Sequence, residues 1–168
     1  MMGRVLVVVT LVSALLVGGA VYYLQVYAYY RELPAQTQVT VTRADGMEVP
    51  LEVTGFRGID ADSSPIRYRA CFTALAVPPD LTPYPQAEPL TTPGWFDCYD
   101  APAIGAALDS GMATAFLGQA NIVWGVDRIV AVMADGRGFS WHQINACGRE
   151  VFDGREAPEG CPPLPVKD

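Results

Sequence analysis

VDRIVAVMADGRGFSWHQI, residues 126–144, carries the clearest fold signal in the chain. Two runs rich in β-branched and aromatic residues flank Asp135-Gly136, and glycine readily takes the positive φ that a tight turn demands, so the stretch reads as an antiparallel hairpin. The same pattern recurs around Asp45-Gly46 in QTQVTVTRADGMEVPLEVTGF, residues 36–56. Between the two hairpins, RYRACFTALAV (67–77) sets Tyr68, Ala70 and Phe72 alternately with Arg67, Arg69 and Cys71, the period of a half-buried strand. ATAFLGQ (113–119) supplies another strand. DAPAIGAALDSG (100–111) reads as a short helix, with Asp100 as N-cap, Pro102 in the first turn and Gly111 past the end. Strands, one short helix, then strands again predict a small α+β domain, a mainly antiparallel sheet covered by that helix. RGIDADSSPIR (57–67) is expected as a polar loop. VPPDLTPYPQAEPLTTPGWF (77–96) is too dense in proline for a helix or a central strand and is expected as a long surface connection. No internal repeat is present.

Working outward to the amino terminus, no charged residue occurs from Val5 to Tyr30, and VLVVVTLVSALLVGGAVYYL supplies the roughly 20 apolar residues a helix needs to cross a bilayer. At 1.5 Å per residue the uncharged stretch is about 39 Å long, so Tyr22, Tyr23, Tyr27, Tyr29 and Tyr30 fall at headgroup level, where amphipathic rings are favoured. A cleaved signal peptide is the rival, with Gly18-Gly19-Ala20 as a small-x-small site, but the apolar character runs well past that point. Either way the remainder is exported. Arg4 and the free amino group precede the span while Arg31 and Glu32 nearly cancel after it, which places the N-terminus inside. The expected organisation is a transmembrane anchor over 1–33, an extracytoplasmic α+β domain over 34–146 and a disulfide-stapled tail over 147–168.

Setting aside Arg4, Arg31 and Glu32 leaves nine basic and seventeen acidic residues, a net of −8. So acidic a domain is repelled by phosphate backbones, which argues against nucleic acid as a partner. Four cysteines, Cys71, Cys98, Cys147 and Cys161, all follow the span, an even number on the oxidising side. Four allow three pairings. Cys71 with Cys98 and Cys147 with Cys161 is favoured, because the second pair staples a glycine- and proline-rich tail without apolar periodicity. A metal or haem site is disfavoured: there is no CxxC, and His142 is the single histidine.

Candidate binding residues cluster in three places. Asp60 and Asp62 stand at alternate positions as in the start of a calcium loop, but no glycine follows at the required place and no glutamate closes it, so turn-forming hydrogen bonds are the expected role. Arg67 and Arg69 are expected on one strand face, either to hold an anion together or to pair with Asp60, Asp62 or Asp97. Trp95 and Phe96, in PGWFDCYD, concentrate aromatic surface that serves as core or as a partner interface. His142 lies two residues from Ser140, and that spacing on one strand does not make a triad; no G-x-S-x-G elbow is present.

FRGIDADSSPIRYRACFT, PGWFDCYDAPAIGAAL, GVDRIVAVMADGRGFSWHQIN and CGREVFDGREAPEGCPP, with the span ending YYLQVYAYY, resemble a bacterial family of single-span membrane proteins whose domain has no assigned function. The resemblance covers nearly the whole chain. It supports the topology alone and brings no activity, cofactor or catalytic residue; the inner membrane, with the domain in the periplasm, is the expected location. The leading expectation is a non-enzymatic, membrane-anchored domain that binds an envelope protein as an assembly factor or accessory subunit, with no cofactor. The alternatives are a small-ligand or cation-binding module using Asp60 to Arg69, and an enzyme built around His142.

Overall fold

Both turn glycines take positive φ, 83° at Gly46 and 87° at Gly136, and the hairpins they close organise the sheet. The computed structural model describes residues 2–165. Among these, helix α1 (Met2–Tyr23) continues as a π-helical turn over Leu24–Ala28, and Met2–Ala28 is long and apolar enough to cross a membrane. Seven strands follow: β1 (Arg31–Glu32), β2 (Gln38–Thr42), β3 (Glu48–Asp60), β4 (Arg69–Ala74), β5 (Ala113–Val123), β6 (Val126–Met133) and β7 (Arg137–Ile144). Helix α2 (Ala101–Asp109) lies between β4 and β5, and α3 (Ala146–Phe152) follows β7. Every pairing is antiparallel, in the order β1-β3-β4-β7-β6-β5, with β2 on β3. The α+β expectation holds, and α2 is capped as anticipated: the Asp100 carboxylate accepts from the Ala103 N–H at 3.1 Å.

Three local expectations need correction. Strand β3 does not stop before the polar segment but runs on through Arg57–Asp60, because Arg57, Gly58 and Ile59 pair with Cys71, Ala70 and Arg69 of β4. A register irregularity between Thr54 and Arg57 lets this long strand bend, as β-bulges do. The tail contains a helix that has little apolar periodicity to announce it. Asn145 caps α3 by accepting from the Gly148 N–H at 3.0 Å, and Cys147 is joined to Cys161, with their Cα atoms 5.8 Å apart. Gly125 (φ 79°) and Gly148 lie backbone to backbone, so close that a Cβ on either would collide with the other; two glycines are what let α3 sit on the β5–β6 turn.

The third correction concerns the proline-rich segment. Its first residues are not a surface connection but close the sheet. On one side Ala44 N–H donates to the Asp80 carbonyl (2.8 Å) and Thr82 N–H to the Thr42 carbonyl (2.9 Å). On the other, Leu117 N–H donates to the Thr82 carbonyl and Tyr84 N–H to the Ala115 carbonyl, both at 2.9 Å. Residues 80–84 thus bridge β2 and β5, each of which strand pairing alone leaves with a single neighbour. Prolines are tolerated because their ring nitrogens fall at positions where no ladder donor is needed.

Closure divides the apolar residues into two cores by strand alternation. Inside the ring, Val130 and Val132 of β6, Ala70 and Phe72 of β4, Val39, Val41, Leu51 and Val53 of β2–β3 and Leu81 pack together. On the outer face, Ile129 and Ala131, Phe139 and Trp141, and Cys71 are covered by Phe96, Tyr99 and the Ala101–Ile104 side of α2. The Cys71–Cys98 disulfide, with Cα atoms 6.2 Å apart, pins the second half of the proline-rich segment over that outer core. Leu81 is 7% exposed and fills the ring beside the closing segment, whereas Leu75 is 63% exposed. Leu81→Ala is therefore expected to destabilise the domain by about 2–4 kcal/mol and Leu75→Ala by less than about 0.5 kcal/mol, read from urea denaturation midpoints.

Candidate functional site

A helix ends with its last carbonyls unpartnered, and here the domain supplies partners to the end of the apolar helix. The Trp95 indole N–H donates to the Val26 carbonyl at 2.7 Å. Arg67 donates from Nη2 to the Gln25 side-chain oxygen at 3.0 Å and from Nη1 to the Gln25 backbone carbonyl at 3.4 Å. Aromatic packing surrounds these bonds: Trp95 stacks on Tyr27 with ring centroids 6.4 Å apart and meets Tyr30 edge-on, while the Arg67 guanidinium lies 5.4 Å from the Tyr30 ring centre. A cation at a helix C-terminus also complements the helix dipole. Trp95, read from the sequence as core or partner interface, packs against the protein's own helix. Phe96 is core, 3% exposed.

The same end of the sheet gathers the other anticipated polar residues into different pairs from those expected. Arg67 and Arg69 do not share a strand face: Arg67 precedes β4, and Arg69 opens it with its side chain only 4% exposed. Among the described residues, neither pairs with a carboxylate. Arg31 instead takes Asp62, with Asp60 3.9 Å away, and Arg57 takes Asp97 at 2.8 Å. Asp60 and Asp62 are therefore the counter-charges of the first residue after the uncharged stretch. Burial holds the Asp60 carboxyl above its ordinary range, against the opposing pull of the Ala61 N–H and Arg31. Arg69 is satisfied by four backbone carbonyls, those of Ile66, Tyr68, Leu90 and Thr91, at 2.6–3.1 Å. Its guanidinium rests 6.0 Å from the centre of Tyr99, clamping the proline-rich segment to β4.

His142 closes the end of the ring. Its Nδ1 lies 2.7 Å from the Pro65 carbonyl, which can only accept, so Nδ1 carries the proton and Nε2 is free to accept from the Arg128 Nε–H at 3.1 Å. Its ring stacks on Tyr68 with centroids 4.5 Å apart, and the Arg128 guanidinium covers the same tyrosine at 4.7 Å. Burial, aided by the Arg128 and Arg69 charges, pushes the imidazole down to about 4, so it is neutral at ordinary pH. Ser140 donates to the Ile129 carbonyl at 2.7 Å within the sheet and does not meet His142. Among the described residues, no group of three His, Cys, Asp or Glu side chains is placed to hold a metal ion. Arg128, Tyr68 and Arg31 were not among the candidate site residues read from the sequence, although they complete this cluster.

The opposite end of the sheet is apolar. There the β6–β7 turn and α2 enclose a groove of about 360 Å³ lined by Ala103, Ala107, Met112, Met133 and Ala134, with Asp135 and Arg137 at its rim. Met112 is 62% exposed. Strand β6 runs from Val126 at the helix-bearing end to Met133 at the groove, so the two ends are about 23 Å apart at 3.3 Å per residue.

A closed antiparallel α+β domain, stapled by two disulfides and carrying an apolar helix docked on one end, defines the class of molecule. Within it, the chain belongs to a family of unknown function (DUF6446), whose model matches residues 38–162. No curated protein and no solved structure matches the chain.

The neutral imidazole makes stability depend on pH with a definite sign. The unfolded histidine binds its proton below about 6.5, the folded one only near 4, so stability is complete above about pH 6.5 and is lost as pH falls toward 4. Linkage sets the loss at up to about 3 kcal/mol. His142→Gln is expected to flatten that interval in denaturation curves collected from pH 7 to about 4.

Proposed function

We propose that the chain is a membrane-anchored extracytoplasmic domain that binds an envelope protein and does not catalyse a reaction. In this reading α1 spans the bacterial inner membrane with its N-terminus in the cytoplasm, and the disulfide-stapled domain stands in the periplasm as an assembly factor or accessory subunit. The observation that carries it is the joint at Trp95: the domain caps the helix directly, so it is held at a set height and orientation, which suits presentation to a neighbour more than free tethering does. The two disulfides suit an oxidising compartment.

The groove around Met112 and Met133 is the surface such a partner would use. It lies at the end of the sheet away from the helix, it is apolar with a charged rim, and methionine adapts readily to a binding partner. The cluster at the other end favours a structural role. Asp60 and Asp62 already face Arg31, and both ring nitrogens of His142 are engaged.

A photo-crosslinking residue placed at Met112 of the full chain in intact cells is expected to give one discrete adduct with an envelope protein. One at Met47, equally exposed on the β2–β3 turn, is expected to give none. Ala103→Arg fills the groove and is expected to reduce the Met112 adduct about tenfold, equivalent to ~1.4 kcal/mol. No adduct at Met112, or the same products from both positions, would overturn the partner reading.

A further inference from the structure

Beside Trp95, on the face of β1 and β3, lies a second cavity of about 270 Å³ that none of the roles above uses. Its apolar wall is formed by Leu33, Phe56, Trp95 and Phe96. Its two charged residues are Glu32 and Arg57. The Arg57 guanidinium already lies over the Phe96 ring, 5.6 Å from its centroid, which leaves Trp95 and the edge of Phe56 beside the Glu32 carboxylate, the chemistry that receives an ammonium group through ring quadrupole and charge together. A guanidinium across the same cavity is the chemistry that receives a phosphate. Arg57 keeps donors for it: the pair with Asp97 is made through Nη1 alone, between side chains that are both more than half exposed, and the packing of its guanidinium on Phe96 uses a face and no N–H. Ammonium and phosphate a few bonds apart make a zwitterionic headgroup.

Position singles out the source. Trp95 forms a wall of this cavity and also donates to Val26 and stacks on Tyr27, in the tyrosine-rich end of the apolar helix. If that helix spans a bilayer, its tyrosines and Trp95 lie at headgroup depth, and the cavity opens at the same level. We infer that the Glu32–Arg57 cavity binds the headgroup of a zwitterionic phospholipid of the ethanolamine type, with Glu32 and the aromatic rings on its ammonium and Arg57 on its phosphate. The inference rests on the helix spanning the membrane, and it is independent of any protein partner at Met112. A seated lipid would add a contact between the domain and the headgroup layer beside the Trp95 joint.

The test uses the full chain, purified and reconstituted into vesicles of phosphatidylethanolamine and phosphatidylglycerol. A photoactivatable phosphatidylethanolamine with a diazirine beside its glycerol is added, and labelled residues are mapped by mass spectrometry. Labelling is expected at the cavity, on Leu33, Phe56 or Trp95, and is expected to fall about tenfold in the double variant Glu32→Gln, Arg57→Gln. A second variant, Ala35→Trp, blocks the cavity without changing charge and is expected to do the same. Unchanged melting temperatures in both variants keep the comparison free of misfolding. Equal labelling by the matching phosphatidylglycerol analogue, or labelling that survives both variants, would overturn the proposal as mere adjacency to the bilayer. An acyl-chain diazirine in the same samples reports separately on the span. Labelled residues 5–24 with an unlabelled cavity would sink the lipid site alone, whereas an unlabelled helix would remove the membrane reading and the site with it.

Discussion

The indole N–H of Trp95 on the Val26 carbonyl is the contact on which the arrangement of this protein turns. A helix must find partners for its terminal carbonyls, and in apolar surroundings an unpartnered carbonyl is costly. Here the helix loosens into a π-helical turn at Leu24–Ala28, Tyr30 N–H takes the Tyr27 carbonyl, and Trp95 and Arg67 of the folded domain take Val26 and Gln25. Helix and domain are thereby one body. Where the sheet stands, which end faces the helix and which residues form its polar plug all follow from that joint.

The rest of the fold makes the joint stiff. Trp95 is presented by a segment that would be a slack loop if left alone, but residues 80–84 are fixed between β2 and β5, Cys98 is bonded to Cys71 in the central strand β4, and Arg69 binds the carbonyls of Leu90 and Thr91. Three unlike constraints, a closed ladder, a covalent bond and a buried cation, therefore hold one proline-rich stretch at successive points. Arg69 carries this role without a carboxylate partner. Four carbonyl oxygens and the face of Tyr99 offset the cost of its burial, which still pulls its basicity below the ordinary arginine value.

Local chemistry made much of this visible in the sequence, and long-range pairing hid the remainder. Glycine turns at Gly46 and Gly136, the Asp100 cap, the apolar span, the α+β class and the Cys71–Cys98 and Cys147–Cys161 pairings were legible because each rests on residues near one another or on a simple count. The closing strand at 80–84 was not, because its ladder partners are distant in sequence and proline density argued for a loop. The polar cluster was half legible. His142 and Asp60 stood out as residue types, but a two-residue Asp135-Gly136 turn would have set Ile129 opposite His142. The turn spans Ala134 to Gly136 instead and sets Arg128 there, a shift of one residue that decides the partner of the imidazole. Arg31 taking Asp60 and Asp62, and Arg57 taking Asp97, likewise depend on β3 running further than its polar composition suggested.

The joint is tested most directly by a distance distribution between two spin labels on the full chain in lipid, one at Ala20 in the helix and one at the exposed Thr73 of β4. Both are introduced as genetically encoded labels because all four cysteines are in disulfides. A rigid joint predicts one narrow distribution for the native chain, broadened when Trp95→Phe and Arg67→Gln are combined. A native distribution already as broad as that of the double variant would contradict it, and would make the helix a flexible tether to an independently tumbling domain.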